Sequence, residues 1–219
     1  AAIQPVLRSV GLRLDVPVVV YTGAGAAKGW GDGLEQTMVA YGLARYGHDN
    51  VCVLDGGLDR WKAEGKPLAK EYGTTEPSDF RATERKEYAI EYEEFRRIKD
   101  RDDVIVLDAR PPEKYEGRSF WMKPGHIPGA VNLPWQDLMD EKNKALLRPE
   151  AEVLAIIKKH GVGPDKTVIC SCGTGREATN QFLLFKFYLG YPHVRLHEGA
   201  FTEWVSYPDN PTVTGKSPR

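Results

Sequence analysis

The chain repeats itself. Gly11–Val18 (GLRLDVPV) matches Gly161–Val168 (GVGPDKTV) at an offset of 150, and Gly47–Trp61 (GHDNVCVLDGGLDRW) matches Gly190–Trp204 (GYPHVRLHEGAFTEW) at an offset of 143. Two segments recurring in the same order define a supersecondary unit present twice, so a fold proposed for one copy must also serve the other. The 7-residue difference places extra residues in the first copy between Val18–Val20 and Val51–Val53, most economically within Thr22–Gly33 (TGAGAAKGWGDG).

Each copy reads as a helix closing near a Gly, a turn, a short buried strand, a loop, a helix and a second short strand. The first strands are Val16–Tyr21 and Thr167–Ser171, β-rich apolar runs that follow turns at Asp15 and at Gly163–Asp165. The helices are Gly33–Tyr46 and Glu177–Leu189, the latter with Phe182, Phe185, Tyr188 and Leu189 at helical spacing. Strands alternating with helices of about 12 residues predict an α/β fold, a parallel sheet with helices on both faces.

The second copy has a preamble that the first lacks. Val104–Leu107 is a strand running into Asp108 and Arg110, a Pro- and Gly-rich loop follows, and Ala130–Leu133 forms another short strand. Glu91–Arg101 is an amphipathic helix with Tyr92, Phe95 and Ile98 facing the core. Counting back by 150 from Ala130–Leu133 falls before residue 1, so the first copy holds about half of its domain. The expected division is a partial domain over 1–70, a polar linker over 71–87 and a complete domain over 88–219. A parallel sheet lacking half its strands has a thin core. The chain is therefore expected to be a fragment, or to receive the missing half from another polypeptide or a removed segment.

Composition narrows the function. The 30 Lys and Arg balance 31 Asp and Glu to a net charge of −1, which argues against nucleic acid or an anionic membrane surface as partner. No apolar run reaches the ~20 residues that span a bilayer, and AAIQPVLRSVGLRLD has no basic start followed by an apolar stretch. The cytoplasm is favoured, with the periplasm open should an N-terminal segment have been removed. Three cysteines, Cys52, Cys170 and Cys172, make a poor disulfide framework and suggest a reduced or reactive thiol. Cys52 and Cys170 read as core residues inside strands.

Cys172 is the candidate nucleophile. It is the first residue past a strand, and Gly173, Thr174, Gly175, Arg176, Glu177 and Ala178 form the turn into the next helix. Ligands bind at the carboxyl ends of strands in open α/β sheets. There the turn's N–H groups and the helix dipole favour thiolate, Gly173 and Gly175 let several N–H groups converge on one sulfur, and Arg176 adds a positive charge. A Cys-x-Cys metal site lacks a second ligand pair at suitable spacing. A phosphatase loop needs Arg six residues after the Cys, where this chain has Ala178. The first copy has Thr22 at the Cys172 position, a hydroxyl in place of the thiol.

Taken in order, Leu107–Arg110 (LDAR), Tyr115–Gly117 (YEG), Gly125–Asn132 (GHIPGAVN), Cys172–Gly175 (CGTG) and Glu198–Gly199 with Trp204 resemble the rhodanese-like sulfurtransferases in a tandem-domain form; Leu54–Gly57 (LDGG) and Trp61 resemble the same closing motif more weakly. The resemblance implies that Cys172 takes a sulfane sulfur from a small sulfur-containing anion, forms a persulfide, and passes the sulfur to a thiophilic acceptor such as cyanide, a thiol or a protein. It implies no metal or organic cofactor. The loop residues would hold the persulfide. The family's substrate-binding arginine corresponds here to Lys114, a point charge in place of a bidentate fork, with Arg118 close by. Arg110 either pairs with Asp108 or touches substrate. His126 reads as a loop organiser and Trp204 as packing. Thiosulfate is the favoured donor and 3-mercaptopyruvate the alternative; a persulfide carrier or a non-catalytic binding module is the rival reading.

Overall fold

The computed structural model describes residues 2–24, 31–71, 73–118 and 120–219, in two compact units, 1–86 and 87–219. The first unit runs α1 (Gln4–Ser9), β1 (Val18–Val20), α2 (Leu34–Arg45), β2 (Val51–Val53) and α3 (Gly57–Ala63). Its strands pair in parallel, Val18 with Val51 and Val20 with Val53. Of the stretch expected to hold the extra residues of the first copy, 25–30 lie outside the described residues.

The second unit contains α4 (Tyr92–Ile98), β3 (Val104–Asp108), α5 (Pro112–Tyr115), β4 (Val131–Asn132), α6 (Glu150–Lys159), β5 (Thr167–Ser171), α7 (Ala178–Leu183), β6 (Val194–Leu196) and α8 (Ala200–Ser206). Its four strands form a parallel sheet in the order β4-β3-β5-β6. Side chains alternate across a strand, and both faces of β3 and β5 are used. Val106 and Ile169 meet Phe95, Ile98, Phe201, Trp204 and Val205 of α4 and α8 on one side, and α7 packs against β5 and β6. The α/β architecture with parallel strands and helices is as the sequence predicts.

The repeat is written into the backbone bonds. Val18 N–H donates to Asn50 O at 2.9 Å and Val168 N–H to His193 O at 2.8 Å; Leu54 donates to Val20 O and His197 to Cys170 O, both at 2.9 Å. These pairs are related by the same two offsets, 150 and 143, that the sequence shows. The register Val18↔Val51 likewise equals Val168↔Val194.

Four expectations change. β1 is Val18–Val20, shorter than Val16–Tyr21, because Val16 and Tyr21 are exposed and without ladder partners among the described residues. The helix expected over Glu177–Leu189 is α-helical only to Leu183 and continues as a π turn, Leu184–Tyr188, with Leu189 N–H reaching back five residues to Leu184 O. Polar Glu71–Thr83 contributes Phe80, 3% exposed, to a core with Leu12 and Leu43. Cys52 is exposed rather than core: Val18, Val20 and Val51 point into that cluster, which turns Cys52 and its cross-strand partner Val19 to the open face of the two-stranded sheet.

Candidate active site

Cys172 follows β5, whose neighbours β3 and β6 are hydrogen-bonded along it. The turn after it is held from outside by the start of α8. Phe201 N–H donates to Cys172 O at 2.9 Å, Thr202 N–H to Gly173 O at 3.0 Å, and the Thr202 hydroxyl to the same oxygen at 2.8 Å. Gly175 has φ +86°, and a Cβ there would lie 2.9 Å from Glu198 O, so the turn admits only glycine. That conformation aims Gly175 N–H at Cys172 Sγ, 3.1 Å away.

The Gly175 amide contact favours a thiolate, and burial opposes it. Cys172 is 1% exposed. Burial first, then the charge of Glu177 and its hydrogen bond to the thiol, push the Cys172 thiol up, and the Ala178 and Thr174 amides oppose them less strongly. Glu177 Oε2 is buried without a hydrogen-bond partner.

Arg110 is fully buried and gripped by Asp108, Nη2–Oδ2 2.6 Å and Nε–Oδ1 2.9 Å, with Nη2 also donating to Gly125 O at 3.0 Å. The pairing expected of Asp108 and Arg110 is therefore present. Yet Nη1 has no partner, and the Arg110 Cδ lies 3.6 Å from where a Gly173 Cβ would be. A buried, unsatisfied cationic donor beside the cysteine turn is suited to an anion. Lys114 Nζ lies 6.0 Å from the Phe120 ring centroid, and Arg118 is exposed. No hydrogen bond or ion pair joins either to the cysteine turn among the described residues. Arg176 O accepts from Thr179 Oγ1 at 2.8 Å, starting α7. His126 Nδ1 meets Tyr115 O at 3.0 Å, and Trp204 is buried. Among the described residues no cluster of three or more His, Cys, Asp or Glu could hold a metal ion.

Three groups escaped the sequence reading. His197 is buried between Ser171 Oγ (3.3 Å from Nδ1) and Glu203 Oε2 (3.2 Å from Nε2), stacked on Phe95, and burial lowers its pKa to about 4. Thr202 and Trp121 complete the surroundings of Gly173. The closing motif around Glu198–Trp204 was visible, but not that its amides and hydroxyl hold the cysteine turn.

Residues 91–207 match the Rhodanese-like domain. The chain belongs to the rhodanese-like family. It is 38% identical over 192 residues to a sulfurtransferase homologue of Synechococcus elongatus, covering 84% of this chain and 59% of that protein. It is 31% identical to a thiosulfate sulfurtransferase of Pseudomonas aeruginosa, over 96% of this chain and 74% of the relative, and 30% identical to a 3-mercaptopyruvate sulfurtransferase of Escherichia coli, over 94% and 70%. The rhodanese-like fold also matches the anaerobic ergothioneine biosynthesis enzyme from Chlorobium limicola, in complex with its natural substrate trimethyl histidine, with a TM-score of 0.83 at 23% identity. That match spans 96% of this chain and 54% of the other.

Proposed function

We propose that this rhodanese-like chain is a sulfurtransferase that carries a sulfane sulfur as a persulfide on Cys172. The observation that carries the reading is the sulfur itself, at the end of β5 with the Gly175 amide 3.1 Å from it. Amide donors fixed in a buried site stabilise developing negative charge without reorganising. A persulfide anion is such a charge.

Glu177 takes the thiol proton as the donor enters, and the buried Arg110 Nη1 holds the donor's anionic group. With thiosulfate, the favoured donor, the Cys172 sulfur attacks the outer sulfur and the S–S bond breaks, its electron pair leaving with sulfite. Cyanide, a thiol or a protein acceptor then takes the terminal sulfur and returns Cys172 to its starting form. The 3-mercaptopyruvate reading keeps the same nucleophile and asks Arg110 to hold a carboxylate. In the first unit Leu58 N–H donates to Thr22 O at 2.7 Å, the counterpart of Phe201 to Cys172. Thr22 has no thiol, so that unit is proposed as a partial, inactive repeat, and 88–219 as the catalytic part.

Incubation with thiosulfate and cyanide should yield thiocyanate. Undiminished turnover in Cys172→Ser would overturn the assignment. A stable mass gain of about 32 Da, one sulfur atom, without thiocyanate would identify a carrier.

A further inference from the structure

We propose that Trp121 decides which donors reach Cys172, forming the wall of the sulfur pocket on the Gly173 side and restricting it to small molecules. The inference rests on Cys172 as the reacting group. A sulfur that is 1% exposed must be reached past some neighbour that yields. Phe201 and Arg110 are fully buried and tied into the core and the Asp108 pair. Trp121 is different.

Its indole lies against Gly173 so closely that a Cβ at 173 would collide with the ring, the same Cβ position standing 3.6 Å from Arg110 Cδ. The ring also covers the Arg110 guanidinium at 5.1 Å, whose Nη1 is unpaired, and meets Phe201 edge-on at 5.6 Å. One wall therefore screens both the start of the cysteine turn and the buried cation proposed to hold the donor. The indole packs partly buried against the core of α4 and α8, stacks on Phe120 at 4.3 Å, and donates from Nε1 to Thr202 Oγ1 at 2.9 Å, a hydroxyl that in turn donates to Gly173 O. The flanking residues add no anchor to the core: Phe120 is 79% and Met122 76% exposed. The chain is pinned on either side, at Gly117 beside Thr214 and at Lys123, whose Nζ donates to Tyr207, Pro208 and Asn210 O.

The test uses the full chain in a Cys52→Ser background, so that the exposed thiol does not report. Cys172 alkylation by iodoacetamide is compared with alkylation by a fluorescein maleimide, and kcat/KM for thiosulfate with that for an aryl thiosulfonate. In Trp121→Ala the bulky-to-small ratio is expected to rise about tenfold in both pairs, the scale on which pocket volume discriminates. Trp121→Phe and Thr202→Val, which keep the site filled, should shift it in the same direction by less. Ratios unchanged in all three folded variants overturn the proposal. A shifted alkylation ratio with no sulfur loading from either donor supports the wall and overturns the sulfur-transfer reading alone.

Discussion

The amide of Phe201 donates to the carbonyl of Cys172 at 2.9 Å. This bond makes the first turn of α8 the outer brace of the cysteine turn, and the chain bends sharply to form it. Ala200, the residue before, has φ +54° and is fully buried. A β-branched side chain is poorly tolerated at positive φ. Ala200→Val is therefore expected to destabilise the second unit by about 2 kcal/mol, read as a lower urea midpoint, and to slow sulfur loading at Cys172. Wild-type stability in this variant would contradict the brace.

Asp108 and Arg110 are at most 4% exposed and face each other through charge-assisted bonds. Removing one partner strands the other's charge. Arg110→Met should cost about 3–5 kcal/mol, and the double variant Arg110→Met/Asp108→Leu should recover much of it, because an apolar pair strands no charge. Both variants should lose donor affinity, so stability and KM would separate in the double variant.

His197 supplies a pH dependence. Its folded pKa, about 4, lies below its ordinary 6.5, so between these values the unfolded chain binds a proton that the folded chain does not. Its contribution is present above pH 6.5 and is lost as pH falls toward 4, by about 3 kcal/mol in total. Glu203, raised by burial and then by Glu91, acts in the opposite sense, stabilising in acid and fading as pH rises. The stability gap between wild type and His197→Gln should narrow by that amount on acidification. A gap independent of pH would show that His197 is not held neutral by its burial.

The three thiols should react in a set order. Cys52 is exposed while Cys170 and Cys172 are buried. Brief iodoacetamide treatment at neutral pH, mapped by peptide mass, should label Cys52 first. Cys172 should follow faster at higher pH, since burial and Glu177 push its thiol up, and Cys170, also raised by burial, should react only on unfolding.

How much could be read beforehand varied with the range of the interactions. Strand β5 and the turn at Cys172 were legible because apolar runs and Gly spacing are local signals. Cys52 misled for a related reason: alternation says that Val51 and Cys52 face opposite sides, but not which side is covered. Phe80 was hidden because its neighbours in sequence are polar, while Leu12 and Leu43 are distant along the chain.

The sequence by itself determined the doubled unit, the parallel α/β class and the cysteine at the end of a strand, since periodicity and motif order are carried by consecutive residues. Only the tertiary structure decided that the Cys172 sulfur is buried, that Arg110 keeps its Nη1 unpaired, and that Trp121 stands over Gly173. Desolvation and contact depend on what packs around a group, and at Cys172 that surrounding comes from segments as distant along the chain as Arg110, brought together by the sheet.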